Sequence, residues 1–353
     1  RPKAAIHLSY QPLVTIVTPS FNQARYLELA MQSVLQQDYS QIEYIVIDGG
    51  ASDGSQEIIR RYESQLAYWV SESDRGQAEA INKGLRRASG EIVAWLNSDD
   101  VYMPGAIAEA VEAAGRHPEA GMVHADGLMV DSNLLVLDPH RYRALTSLDL
   151  LSFEVILQPS AFIRREALEQ VGYLDPRYRL ILDHELWVRI SGRYRLEHVT
   201  GFWALERTHP EAKTIQQAAG FVEEAQRLVD WAKASPEFGE LVRANYRRVR
   251  AGLNVFSARR LIDAGQHRRA VGHLARAIVL HPPTAMRYWY KVVQGTLSAL
   301  GLESVFLQYR DTRRRLKYGT QRVELPYRAP DESERALIGE HRSKPPLTVS
   351  RHE

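Results

Sequence analysis

Asn97-Ser98-Asp99-Asp100 is a stretch whose residue types and spacing could do chemistry. A short apolar run, Ile92 to Leu96, leads into it, so two adjacent acids stand at the end of what reads as a buried strand. Adjacent carboxylates repel each other, and burying them is costly unless they are paired or bind a cation. In open α/β sheets the carboxyl ends of strands are also where ligands sit. The plain alternative is a solvated turn before a helix begun by Pro104. Three more polar stretches have the same character: Asp48-Gly49-Gly50, the loop Ser71 to Gln77 with Asp74 and Gly76, and Asp183-His184-Glu185. A carboxylate in such a place can accept hydrogen bonds or take up a proton. Arg207-Thr208-His209 ends the series; a histidine there could hold a metal or an anion, or be a plain surface residue.

The elements that must position these residues alternate. Leu13 to Thr18 reads as a strand and Arg25 to Gln37 as a helix, with Leu27, Ala30, Met31, Val34 and Leu35 at helical spacing. Ile42 to Ile47 is a second strand and Glu57 to Tyr62 begins a helix. Leu66 to Val70 is a third strand, Ala78 to Ala88 a helix, Ile92 to Leu96 a fourth strand and Gly105 to Gly115 a helix. That order predicts a parallel sheet. Met122 to His124 and Gly127 to Val130 read as two short strands, with a hairpin turn at Asp131-Ser132-Asn133 leading to Leu134 to Leu137. Ser160 to Ile163 reads as a strand, Arg165 to Val171 as a helix, and Leu180 to Arg189 as a loop entering a helix.

From about residue 215 strand signals fade. Ala258 to Val279, broken by Ala264-Gly265, reads as a helical hairpin like a single tetratricopeptide-type unit. Met286 to Phe306 reads as one helix with Met286, Trp289, Tyr290, Val293, Leu297 and Leu300 on one face. That face is expected to pack on the preceding helices; the alternative is a basic amphipathic helix on a membrane surface. Residues 321–353 are expected to be poorly ordered or draped on the surface.

At 353 residues the chain exceeds one typical domain, and its 44% hydrophobic and 25% charged residues suit a globular protein. No cysteine is present, which excludes disulfides, thiolate metal sites and cysteine nucleophiles. No apolar run is long enough to span a membrane. The chain begins at Arg1 rather than Met, which leaves room for a removed leader or anchor. Residues 241–320 hold 16 Lys and Arg against 3 Asp and Glu, a net +13, so the remainder carries −11. The basic part is expected to meet something anionic. Duplex nucleic acid is one candidate, but an anionic membrane surface is the expected partner and no nucleic acid is expected.

Five motifs fall in order: Thr15 to Gln23, Ser33 to Gln37, Ile45 to Ser55, Asp74 to Gly84 and Gly90 to Pro104. Together they resemble family 2 glycosyltransferases of the GT-A fold, in particular the bacterial branch that builds O-antigens and related surface polysaccharides. The resemblance covers about residues 13–214. It implies an α/β fold with a Rossmann-like, mostly parallel central sheet flanked by helices, followed by a helical C-terminal region. The expected organisation is a catalytic domain over 1–214, a basic helical region over 215–320 and a tail over 321–353. Nucleotide-sugar binding falls at about 13–130 and the acceptor and base part at about 131–214.

The resemblance also implies roles. Thr18, Pro19 and Ser20 line the donor pocket. Asp48 holds the nucleoside, though it could instead cap the turn at Gly49-Gly50. Asp74, Gly76 and Gln77 line the same site. Asn82 matches a family asparagine, or braces a helix against a loop. Asn97-Ser98-Asp99 stands where the family has Asp-any-Asp. Asn97 and Ser98 are donor-binding, and the amide is the weaker cation ligand. Asp99 is the metal ligand, joined by His209. Asp100 caps the next helix or orients Asp99. Asp183 is the general base, with Leu182 where an acid often stands. Read from the residues, the Asp-any-Glu carboxylates could instead cap the helix, Glu185 doing only that, and His184 is expected to be an exposed loop residue.

The implied function is inverting, metal-dependent transfer of a sugar from a nucleotide-diphosphate donor, UDP first among them, to a hydroxyl of a glycan or lipid-linked acceptor. The cofactor is Mg²⁺ or Mn²⁺, and no covalent intermediate is expected. The location is cytoplasmic, peripheral on the inner face of the cell membrane. The alternatives are a sugar-nucleotide-forming nucleotidyltransferase, for which Thr18 to Asn22 lacks a Gly-rich phosphate loop, and a non-catalytic nucleotide-sugar-binding protein.

Overall fold

The structure, a computed structural model, describes residues 10–208, 217–319 and 321–327. Four strands built from β-branched and aromatic residues start the sheet: β1 (Val14–Ser20), β2 (Ile42–Asp48), β3 (Tyr68–Ser71) and β4 (Ile92–Trp95). All seven residues of β1 are buried, as a strand covered on both faces requires. Helices α1 (Ala24–Leu35), α2 (Ser55–Arg61) and α3 (Gln77–Leu85) connect them. The strand order is β3-β2-β1-β4, all parallel. The order reverses at β1, and the carboxyl edge beside that switch point is where such sheets take ligands.

The sheet continues as β8-β6-β9-β5, with β7 beside β6. Here β5 is Val101–Tyr102, β6 Ala120–Val130, β7 Val136–His140, β8 Ala161–Arg164 and β9 Arg195–Arg207. β6 and β9 run with β4, whereas β8, β7 and β5 run against it. Two expectations are corrected. The separate strands at 122–124 and 127–130 are one strand, because β9 pairs along the whole of β6 and absorbs the kink at Asp126-Gly127 through register shifts. The stretch after Asp100 is not a bare turn, because Val101 and Tyr102 pair with Leu205 and Ala204.

Between these strands lie α4 (Ala106–Arg116), α5 (Ser147–Leu151), α6 (Arg165–Val171) and α7 (Leu182–Arg193). The C-terminal part is helical: α8 (Ala218–Ala234), α9 (Gly239–Ala244), α10 (Tyr246–Asp263), α11 (His267–Leu280), α12 (Pro282–Met286), α13 (Trp289–Ala299) and α14 (Glu303–Tyr318). Phe221, Leu228, Val242 and Phe256 from this part share one apolar core with Trp95, Leu182, Leu186 and Trp187. The helices therefore brace α7 directly, through packing with the density of a protein interior.

The expected helix over 286–306 is broken, and its apolar face does not pack. Gly301, at φ +79°, ends α13's turn before α14 begins. Small residues face inward instead. A Cβ on Gly295 would stand 3.1 Å from Leu274 and 3.2 Å from Ile262. That close approach turns the large apolar residues outward, leaving Met286 61%, Trp289 58% and Leu300 70% exposed. Among the described residues no helix is long and apolar enough to cross a membrane. Residues 321–327 lie along the β7 turn: Val323 donates its amide to Leu134 O, and the buried Tyr327 hydroxyl bonds Gln37.

Candidate active site

Strand ends β1 to β4 bring the sequence-expected donor residues to one edge. Ser20 and Asp48 are register partners. Thr18 is buried, with its hydroxyl 2.9 Å from that of Tyr44. Pro19 is paired with Ile47, and the Ser20 hydroxyl is enclosed without a partner among the described residues. Asp48 divides its two oxygens. Oδ2 accepts from the Gly50 and Ala51 amides at 3.2 and 2.9 Å and from the Ser71 hydroxyl at 2.6 Å. Oδ1 is enclosed with no partner among the described residues. One oxygen thus holds the turn, and an acceptor of the kind a buried site leaves open for a ligand remains on the other.

Asp74 forms an ion pair with Lys83 of α3, which also reaches Glu72 at 2.9 Å. Burial nevertheless raises the Asp74 carboxyl above its ordinary value. Gly76, at φ +139°, makes the turn into α3 that a residue with a side chain adopts only under strain. Gln77 then donates its amide to Asn97 Oδ1 at 2.8 Å.

Asn97 is the centre of a small network. Its Nδ2 donates to Asp100 Oδ2 at 3.2 Å and to Gln158 Oε1 at 3.0 Å. Gln158 in turn donates to the Trp95 carbonyl. Asp100 also accepts the Arg207 amide at 3.0 Å. Burial, then the charges of Asp99 and Glu206, push the Asp100 carboxyl well up. Asparagine at 97 is therefore explained locally: it is a donor facing Asp100, where an aspartate would set a second carboxylate against it. Asp100 braces this loop and does not cap α4, whose N-cap is Gly105.

Ser98 is buried, whereas Asp99 keeps partly accessible surface. The Asp99 carbonyl accepts from Arg207 Nη1 at 2.6 Å, and the Arg207 guanidinium lies over the Tyr26 ring at 4.6 Å. His209 lies outside the described residues. Among the described residues no three acid or histidine groups converge to hold a cation. Asp99 offers one partly accessible carboxylate, of the kind an Mg²⁺-type ion takes alongside substrate phosphates.

Asp183 and Glu185 stand in the first turn of α7 and differ sharply. Glu185 is buried and bidentate to Arg189, at 2.6 and 2.8 Å. Arg189 also holds the carbonyls of Val171, Gly172 and Tyr173. Glu185 is thus a brace for that loop, not the cap expected from the sequence. Among the described residues Asp183 has no side-chain partner of this kind, and it remains partly accessible. Burial raises its carboxyl to about 6, while the first-turn amides of His184 and Asp183 and the charge of Arg260 oppose the rise. His184 corrects the expectation of an exposed residue: it is buried, bonds the Leu150 carbonyl at 2.9 Å and stacks on Phe153. Burial lowers its pKa to about 4, so it is neutral near pH 7. Asn82 braces α3 to the loop before α7, bonding both the amide and the carbonyl of Leu174.

Sequence reasoning missed Gln158, Glu206 and Arg260. Gln158 sits in no motif; Glu206 and Arg260 act on Asp183 from β9 and α10.

The Glycosyl transferase family 2 profile matches residues 15–172. An uncharacterized glycosyltransferase of Mycobacterium tuberculosis is 33% identical over 187 residues, which cover 51% of this chain and 69% of the relative. The chain belongs to glycosyl transferase family 2. This family 2 glycosyltransferase is also 29% identical over 191 residues to TuaG of Bacillus subtilis, named for teichuronic acid biosynthesis, with 52% of this chain and 73% of TuaG covered. Among the curated relatives, the chain spans 71% of a Rickettsia typhi glycosyltransferase and 56% of a Nostoc one. The mannosyltransferase PcManGT of Pyrobaculum calidifontis shares the fold, with TM-score 0.57, 20% identity, and 95% of this chain and 89% of that chain covered. The nucleotidyltransferase alternative falls away with the family assignment.

Proposed function

We propose that this glycosyltransferase moves a sugar with inversion from a nucleotide-diphosphate donor to a hydroxyl of a glycan or lipid-linked acceptor in polysaccharide biosynthesis. The observation that carries the reading is the contrast at α7: Glu185 is locked to Arg189, and Asp183 is a partly accessible carboxylate with a pKa raised to about 6. A base poised near the working pH combines the right protonation state with a real affinity for the proton. Thr18, Pro19, Ser20, Asp48, Asp74, Gly76, Gln77, Asn97 and Ser98 bind the donor in this reading, with Asp48 Oδ1 taking the nucleoside. Asp99 and His209 would hold Mg²⁺ or Mn²⁺, which when bound neutralises charge on the diphosphate. Asp183 takes the proton of the attacking hydroxyl as its oxygen bonds the sugar's anomeric carbon; the bond from that carbon to the nucleoside diphosphate breaks on the opposite face. The mannosyltransferase that shares the fold was solved with GDP-Man and Mn²⁺, and TuaG's name points to polysaccharide. UDP is the first nucleotide to test. A nucleoside diphosphate with Mn²⁺ should raise the unfolding temperature, by about 2.7 kcal/mol of stability at a hundred times Kd. Asp99→Ala should remove the Mn²⁺-dependent part, and no shift with any nucleoside diphosphate would refute the donor site.

The proposed location is the inner face of the cell membrane. Val305, Tyr309 and Leu316 form an exposed stripe on α14, beside Arg313 and Lys317, and Trp289 and Tyr290 are exposed on α13. Aromatic residues beside basic ones suit a lipid headgroup region, where each Lys or Arg contributes roughly 1 kcal/mol. The protein should sediment with phosphatidylglycerol-containing vesicles at low salt and much less with phosphatidylcholine alone. Binding unchanged by Trp289→Ala with Leu316→Ser, or a dimer that those changes dissolve, would contradict it.

A further inference from the structure

Arg260 is a cation with no counter-ion among the described residues, and its charge reaches the candidate base. Its guanidinium stacks over Phe221 and Phe256, 4.6 and 5.2 Å from the ring centres. Its Nε is enclosed with no hydrogen-bond partner among the described residues. Asp183, Glu206 and Asp263 all feel its charge, yet none forms an ion pair with it. Asp263 turns to Lys291 instead, at 3.4 Å. Arg259, the next residue, lies over the Tyr288 ring at 5.2 Å. Tyr142, just after β7, lies in the field of both Arg259 and Glu206, so the cation of α10 and the acid of β9 act on the same neighbourhood.

A guanidinium walled in by rings and left unpaired is costly. The like charge of Arg259 adds to that cost. The rings hold the fork in one orientation, the arrangement that reads a planar or tetrahedral oxyanion through two N–H donors. We infer that Arg260, with Arg259 beside it, binds an oxyanion carried by the acceptor, either a phosphate ester or a carboxylated sugar, next to the hydroxyl that attacks. The placing of the hydroxyl rests on Asp183 as the base; the anion site itself does not. On this reading the helical region beyond residue 217 selects the acceptor, and its basic character is a specificity feature.

The test uses the full chain saturated with a nucleoside diphosphate and Mn²⁺, so that the donor site is filled. Methyl phosphate, methyl β-glucuronide and the neutral methyl β-glucoside are then titrated by ligand-observed NMR. At least one anionic probe should bind roughly tenfold or more tightly than the glucoside, and the stronger of the two names the anion. Arg260→Gln should weaken that probe roughly ten- to a hundredfold, the loss carried by a charge-assisted bond, with nucleoside diphosphate affinity unchanged. If Arg260→Gln does not fold, Arg260→Lys keeps charge and stem and should still weaken the probe severalfold. An anionic probe that binds no better than the glucoside, or equally to wild type and the Arg260 variants, overturns the inference. Binding lost in Arg260→Gln but kept in Asp183→Asn upholds the anion site even where the base assignment fails.

Discussion

Asp183→Asn removes the proposed base and keeps its shape, and it should move activity and stability in opposite directions. A general base typically contributes roughly 10²–10⁴-fold to rate, or about 3–5 kcal/mol of barrier. Turnover should fall by that order at pH 8. The wild-type rate should rise with pH through about 6, where Asp183 ionises, and the residual rate of the variant should lack that inflection. Stability follows from the same shift. The folded carboxyl holds its proton more tightly than the unfolded one, whose ordinary value is 3.8. The contribution is therefore complete below about pH 4 and is lost as pH rises through about 6. At 1.36 kcal/mol per unit the loss approaches roughly 3 kcal/mol by pH 7, reduced by the solvent that reaches the carboxyl. The variant should unfold at a higher temperature than wild type at pH 7 and converge with it near pH 4. Release of nucleoside diphosphate from UDP-, GDP- and dTDP-sugars, with a bacterial glycolipid extract as acceptor, reads the first effect; calorimetry reads the second. A variant within threefold of wild-type turnover at pH 8 refutes the reasoning. So does one that loses donor affinity in proportion to rate.

Glu185→Gln should behave in the opposite way. It breaks a buried bidentate pair with Arg189, costing about 3 kcal/mol in denaturant unfolding, while turnover changes only a few-fold. Asn97→Asp replaces a donor to Asp100 and Gln158 with a second carboxylate. It should lower stability by about 1–3 kcal/mol without metal, and added Mn²⁺ should recover part of that loss in a thermal shift assay.

The first four strands and the edge they form were legible because they are locally coded. Each of β1 to β4 is an apolar run ended by polar residues, and a parallel sheet must bring those ends to one edge. The rest depends on pairing across long stretches of chain. β9 carries Gly201 at φ +153° and register shifts against β6 at Ala125 and Asp126, so its alternation is broken in the sequence although it pairs along all of β6. The different surroundings of Asp183 and Glu185 could not be read from an Asp-any-Glu spacing. They follow from where Arg189 reaches, and from Phe221 and Phe256 closing the space above α7. The outward face of α13 follows from Gly295 and Ser298, small residues that let α13 approach α10 and α11. Hydrophobic periodicity alone assigns such a face to the core.

The anomeric configuration of the first product tests the central claim most directly. With a donor of defined α configuration, proton NMR of the newly formed product, or of the sugar released to water before it mutarotates, gives the stereochemistry in one spectrum. Displacement by a hydroxyl activated at Asp183 predicts the β anomer. An α product would show net retention and contradict the single displacement.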